Sequence, residues 1–169
     1  MIKISFPKAN GTLFLMVGVV VFFVILMGHA TTPRFIDNGD GTVTDTTSKI
    51  IWMKNAHCWD AMSWSNAIAQ VTAFNNGSVT CPGFTGEQKE WRLPTIEEFK
   101  KIVETFHPQH PPALPPTAPF TGVLLRSYWS SSPAPARVPS AWSMNLANGF
   151  VSNNVKTSNY HVWLVKEGK

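Results

Sequence analysis

The sequence predicts an α+β fold with two helices, antiparallel sheets and one disulfide. Two stretches carry apolar residues at the three- and four-residue steps of an amphipathic helix, and each follows a Ser or Thr that can cap it. Several short apolar runs, separated by glycine-containing turns, have the spacing of antiparallel strands. The chain has 169 residues, of which 44% are hydrophobic and 14% charged, so it has room for one globular domain.

Residues 1–30 have the features of a signal peptide or an N-terminal membrane anchor. Lys3 and Lys8 precede an apolar run from Leu13 to Met27, and Gly28-His29-Ala30 supplies the small residues that a signal peptidase recognises. The run is short for a spanning helix, which favours cleavage over an uncleaved anchor. We therefore expect residues 31–169 in the periplasm, at the outer surface or secreted. The alternative is a domain that faces the periplasm and touches the inner membrane only through residues 13–27.

The charge of the exported part argues against nucleic acid as a partner. Without Lys3 and Lys8, 12 of the 14 basic residues remain against 10 acidic ones, a net charge of about +2. No run of basic residues occurs, and a nucleic-acid-binding domain would show a clustered basic patch.

The exported part begins with a predicted hairpin, from Arg34 to Asp45, whose turn is rich in glycine. A calcium loop is the alternative, but an EF-hand loop counted from Asp37 would need Asp or Asn where Gly39 and Gly41 stand. A turn is therefore favoured. Residues 50–53 follow as a third, buried strand.

The first helix is predicted after Ser63, with Trp64, Ile68, Val71 and Phe74 on one face, and it ends at Asn75-Asn76-Gly77. Cys58 precedes this helix and Cys81 follows it. An oxidising compartment favours a disulfide between the two. A redox or metal pair is the alternative, but the sequence has no C-x-x-C motif.

The second helix follows Trp91-Arg92-Leu93-Pro94-Thr95. Thr95 as the cap and Glu98 three residues later form a capping box. Arg92 is expected to join strand and helix by several hydrogen bonds. The helix has an apolar stripe and is predicted to stop at His107-Pro108; the stripe consists of Ile96, Phe99, Ile102, Val103 and Phe106.

A proline-rich loop, with six prolines in residues 107–119, interrupts the chain after this helix. His107 and His110 within it could suggest a metal site. Two histidines on a coil have no fixed common face and no third ligand nearby, so a solvated loop is favoured and no metal or other cofactor is expected.

The last third is predicted to be strands: residues 128–130, 141–146 and 160–165, with a two-residue hairpin turn at Asn148-Gly149 leading into Phe150-Val151. Trp129 and Trp142 are expected in the core. Polar, uncharged residues of this region are the candidate binding surface, in preference to the proline loop; they are Ser130, Ser131, Ser132, Asn145, Asn153 and Asn154.

Five blocks in order resemble the Lcl C-terminal domain family. They are Phe35 to Asp45, Trp52 to Ala56 with Cys58, Trp91 to Glu98, Tyr128 to Ser132, and Ala141 to Ser143. The resemblance implies a C-type-lectin-like fold used for surface binding and adhesion, with sulfated glycan binding described for the namesake adhesin. The chain lacks that adhesin's collagen-like Gly-X-Y region, which puts trimeric display in doubt.

These observations favour an exported, non-catalytic binding or adhesion module that recognises a glycan or an envelope protein. A membrane-anchored accessory subunit of an envelope complex is the alternative. The more distantly similar formylglycine-generating, sulfatase-modifying proteins use a late cysteine pair to bind copper, whereas no cysteine follows Cys81 here. The sequence also has no nucleophile elbow and no H-E-x-x-H motif.

Overall fold

The computed structural model describes residues 33–104, 119–134 and 139–168. These residues form an α+β fold with two helices and two antiparallel sheets, as predicted. The elements in chain order are β1 Phe35–Asp37, β2 Thr42–Asp45, β3 Ile50–Met53, α1 Trp64–Asn75, α2 Ile96–Glu104, β4 Ser127–Pro133, β5 Ser140–Asn145, β6 Val151–Val155 and β7 Val165–Glu167. The leader, and nearly all of the proline-rich loop with His107 and His110, lie outside the described residues. Within the described part, neither helix is long and apolar enough to span a membrane.

The first sheet has the strand order β1-β2-β3-β7 and begins with the predicted hairpin. In its turn the Asp37 carboxylate accepts a hydrogen bond from the Gly39 N–H, and the Asp40 carboxylate accepts one from the Thr42 N–H, both at 3.0 Å. Gly41 has a φ of +84° and lies so close to the Gly83 carbonyl that a Cβ could not fit. The acidic side chains of this loop therefore stabilise the turn.

The strand predicted for residues 160–165 is wrong in extent, because only Val165 belongs to β7. The preceding residues cross between the two sheets and change hydrogen-bond partner at almost every step. Tyr160 N–H donates to the Met62 carbonyl, and His161 N–H donates to the Ser127 carbonyl, both at 3.0 Å. Residues 162–164 are buried, as expected, but they form no continuous ladder.

The second sheet has the strand order β4-β5-β6. The prediction of a two-residue turn at Asn148-Gly149 is wrong, because β5 ends at Asn145 and β6 begins at Val151. Asn145 holds the longer turn: its carbonyl accepts from the Gly149 N–H and its side chain accepts from the Ala147 N–H, both at 2.8 Å. Residues 152–154, for which the sequence analysis gave no strand, lie within β6.

The core lies between the helices and the sheets and is rich in aromatic rings. Trp52 packs edge-on against Trp163, with ring centroids 4.9 Å apart, and both side chains are almost fully buried. Phe99 of α2 and Tyr128 of β4 join this group. Burial raises the pKa of Tyr128 to about 12. Trp129 is fully buried, as predicted, whereas the nearby Trp142 is only partly buried.

Helix α1 forms where the sequence predicts it. Ser63 Oγ accepts from the Asn66 N–H at its start, and Gly77 follows its end with a φ of +79°. The disulfide between Cys58 and Cys81 is present, with their Cα atoms 4.9 Å apart, and it links the segments that flank this helix. Since these are the only cysteines of the chain, no free thiol remains for redox or metal chemistry.

Helix α2 begins with the predicted capping box. Thr95 Oγ1 accepts from the Glu98 N–H at 3.2 Å, and the Glu98 carboxylate accepts from the Thr95 N–H at 2.7 Å. The Arg92 guanidinium donates to both oxygens of Glu98 and also to Glu167 of β7. Burial alone would raise the pKa of Glu98, but the hydrogen bonds from Arg92 and Thr95 hold it below its usual value. Arg92 therefore joins β7 to α2, as expected.

Candidate functional site

The three consecutive serines of β4, residues 130–132, do not form an exposed surface. Ser130 is completely buried, and its Oγ donates to the Trp142 carbonyl at 2.7 Å, so the prediction that it is exposed is wrong. Ser131 and Ser132 are half-buried against the start of α2: Ser131 N–H donates to the Pro94 carbonyl, and Ser132 Oγ accepts from the Ile96 N–H. These residues join the second sheet to the helix.

The predicted asparagines are divided between two places. Asn154 has a structural role, because its amide donates to Ser143 Oγ and accepts from the Tyr160 hydroxyl, both at 2.9 Å. Asn153 is exposed on β6. Asn145 lies at the opposite end of the hairpin, where β5 ends. The six predicted residues therefore do not form one site, and of these six Asn145 alone lines the polar pocket that the described residues form between the sheets.

This pocket has a volume of about 310 Å³ and lies where β4 begins, β5 ends and residues 159–161 cross between the sheets. Its polar lining consists of Arg126, Ser127, Asn145, Asn159, Tyr160 and His161. Backbone hydrogen bonds fix the three segments to one another: Leu146 N–H donates to the Arg126 carbonyl, and His161 N–H donates to the Ser127 carbonyl, both at 3.0 Å. The pocket therefore has a preformed frame.

The lining is basic and contains no carboxylate. Arg126 is exposed, and its guanidinium makes no hydrogen bond or ion pair with the residues that the structure describes. A guanidinium offers five N–H donors in a planar fork, and the neighbouring amides and hydroxyls both donate and accept. The arrangement suits an acidic ligand that also carries hydroxyl groups.

His161 is the one histidine that lines the pocket. Burial lowers the pKa of this imidazole, and the charges of His57 and Arg126 lower it further against the opposing effect of Asp60. The ring therefore stays neutral at pH 7. Its Nδ1 atom is buried and has no hydrogen-bond partner among the described residues.

Metal binding has no comparable support. Among the residues with described positions, no three His, Cys, Asp or Glu side chains come together as a ligand set. The nearest approach to a cluster is His57 beside His161, with ring centroids 5.4 Å apart, and Asp60, whose carboxylate is 3.9 Å from His57 and fully exposed.

Comparison with known protein families shows to which family the chain belongs. The family model described as the Lcl C-terminal domain matches residues 41–166, well over half of the sequence. The chain belongs to the Lcl C-terminal domain family. This membership indicates a domain of the bacterial surface or envelope. No curated protein matches the chain.

The Lcl C-terminal domain defined by this match contains both cysteines, both helices and every polar residue of the pocket. Of these pocket residues, the sequence indicated only Asn145. Arg126 lies just before β4 and Asn159 and His161 lie beyond β6, so no local motif could have brought them together. The one available signal was the lack of acidic residues from 121 to 165, which a charge plot of the chain would show.

Proposed function

We propose that this Lcl C-terminal domain is a non-catalytic binding module that holds an acidic group of a glycan in the pocket between β4, β5 and residues 159–161. The observation that carries the proposal is a preformed pocket that combines the unpaired guanidinium of Arg126 with neutral donors and acceptors and no carboxylate. The sulfated glycan binding implied by the family resemblance agrees with this chemistry.

The chemistry of the pocket narrows the class of ligand further than the sequence alone can. A sulfate or carboxylate accepts two parallel hydrogen bonds from one guanidinium, which a neutral hydroxyl cannot do. Asn145, Asn159 and Ser127 can then bond ring hydroxyls. With one permanent charge in the pocket, we expect binding to weaken only moderately as salt increases.

The experiment measures binding of the protein to a panel of neutral, carboxylated and sulfated oligosaccharides. Arg126→Gln should weaken binding to the acidic members about 10- to 100-fold, the equivalent of one hydrogen-bonded charge pair. Lys89→Gln is the matched control, because it removes the same charge from the exposed loop before α2. Equal binding of neutral and acidic glycans, unaffected by Arg126→Gln, would refute the proposal.

His161 gives this proposal a second measurement. An anion bound beside its ring would favour the protonated imidazole, so affinity should increase as pH falls from 7.5 towards the lowered pKa. His161→Gln should remove that pH dependence and leave a constant affinity. If the wild type and His161→Gln show the same pH profile, the ligand does not contact this side of the pocket.

The second candidate function is that of an accessory subunit anchored by an uncleaved leader, and the apolar run from Leu13 to Met27 supports it. The mass of the native protein distinguishes the two candidates. A chain that starts near Thr31 is released, whereas a chain that starts at Met1 keeps its anchor.

A further inference from the structure

The outer edge of β6 has no strand beside it in the described part of the protein. The order β4-β5-β6 places β6 at the border of the second sheet. The opposite border, formed by β4, is covered by backbone hydrogen bonds to His161 and Pro94. An uncovered edge presents unpaired backbone groups that can pair with another chain.

The positions of these unpaired groups follow from the register of β5 and β6. On either side of β6, the Phe150 carbonyl accepts a hydrogen bond from the Asn145 N–H, and the Lys156 N–H donates to the Pro139 carbonyl. Backbone direction alternates along a strand, so the even-numbered residues of β6 also direct their N–H and C=O groups towards β5. The odd-numbered residues Val151, Asn153 and Val155 therefore direct theirs outward. Among contacts with residues whose positions are described, only the Val155 carbonyl is engaged there, by the Ser158 N–H, and it retains a second lone pair.

The side chains of this edge do not prevent pairing. Soluble proteins protect such edges with charged residues or proline, and residues 151–155 contain neither. Two of the five large hydrophobic residues that are most exposed in the described structure lie at the ends of this edge: Phe150, at 68%, precedes the strand, and Val155, at 46%, is its last residue. Such exposure next to free backbone groups indicates an interaction surface.

The polarity pattern of β6 is the same in both directions, because Val-Ser-Asn-Asn-Val is apolar at both ends and polar between. In an antiparallel pair centred on Asn153, Val151 lies opposite Val155 of the second copy, and the two Asn153 residues lie opposite each other. All three outward-directed residues then fall at hydrogen-bonded positions of the new ladder. A shift by one residue would place outward groups opposite inward ones and lose these bonds.

We propose that β6 is a self-association edge, at which two copies of this domain pair antiparallel about Asn153 and join their three-stranded sheets into one of six strands. The strand is uncharged, so the two copies do not repel each other at the contact. The dimer leaves the glycan pocket free on each copy, because none of the pocket residues belongs to β6.

The first experiment is cross-linking of the full chain carrying Asn153→Cys. Residues opposite each other at a hydrogen-bonded position have Cα atoms about 5.5 Å apart, within the range of a disulfide. A band of twice the chain mass should appear on a non-reducing gel and disappear on reduction. Ser152→Cys is the matched control, because it is equally exposed on β6 but two residues out of register with its own copy, beyond disulfide reach.

The second experiment measures the dissociation constant of the full chain by sedimentation. Asn153→Lys places two ammonium groups opposite each other and should raise this constant about tenfold or more, with an unchanged thermal melt. The proposal is overturned by a monomeric wild type at the highest soluble concentration, or by equal cross-linking of Asn153→Cys and Ser152→Cys. It is also overturned if Asn153→Cys links to a different protein, which would make the edge a site for a foreign strand.

Discussion

Replacement of Arg92 by lysine should cost about 2 kcal/mol of folding free energy, and the geometry of its contacts gives this magnitude. The guanidinium donates to the two Glu98 oxygens at 2.8 and 2.7 Å, with the Glu98 side chain only 14% exposed. A hydrogen bond to a charged group contributes about 1.5–3 kcal/mol. A lysine ammonium can keep one of the two bonds but cannot form the parallel pair, so the variant loses about one of them.

The contact between Arg92 and Glu167 should contribute much less. The Glu167 side chain is 73% exposed, and exposed ion pairs contribute at most about 1 kcal/mol. Glu167→Gln is therefore the matched control and should lower stability by no more than about 0.5 kcal/mol. Glu98→Gln should cost at least as much as Arg92→Lys, because it also disturbs the capping box at Thr95.

The assay is urea denaturation at pH 7 of oxidised protein, with the m-value used to confirm that the unfolded state is unchanged. Glu98→Gln and Arg92→Lys should both have a clearly lower free energy of unfolding than Glu167→Gln. The argument would be wrong if Arg92→Lys were as stable as the wild type. It would also be wrong if Glu167→Gln cost as much as Arg92→Lys, since the exposed contact would then carry the energy.

Three further predictions concern stability. Thr95→Ala should cost about 1 kcal/mol in a urea melt, whereas Thr95→Ser, which keeps the capping oxygen, should cost less than half of that. Thiol titration of denatured, unreduced protein should find no free cysteine, and replacing Cys58 and Cys81 by serine should lower stability by about 3 kcal/mol in the chain-entropy model. The pKa values of Asp45 and Glu98 are lowered in the fold by their hydrogen bonds, against the effect of burial. Their contribution is thus fully present above about pH 5 and should be lost as pH falls below 4; Asp45→Asn should flatten this part of a stability-versus-pH curve.

Local signals were sufficient to predict the helices and the first hairpin. Ser63 and Thr95 begin helices because a side-chain oxygen satisfies a free N–H within three residues, which requires no knowledge of the rest of the chain. The disulfide followed from the presence of only two cysteines and an expected oxidising compartment. The joining role of Arg92 could be anticipated, but its partner Glu167 could not, because 75 residues separate them.

Polarity alone could not distinguish buried from exposed serines and asparagines. The sequence suggests that Ser130 is a surface residue, yet its hydroxyl donates a hydrogen bond to the Trp142 carbonyl, which offsets the cost of burying it. The side-chain amide of Asn154 is likewise already hydrogen-bonded, to Ser143 and Tyr160. The pocket was missed for a related reason: it forms from three segments, and residues 160–161 were assigned to a strand that begins only at Val165.

The late position of β7 in the chain affects when the domain can fold. β7 pairs with β3, and Trp163 just before it donates from Nε1 to the carbonyl of Met53, 110 residues earlier. The first sheet therefore cannot close until residues 163–167 are available, and contacts of such long range slow folding. During synthesis the nascent polypeptide therefore stays open until almost the whole domain has been made. Refolding after dilution from urea should accordingly be slower than expected for a helical protein of this size.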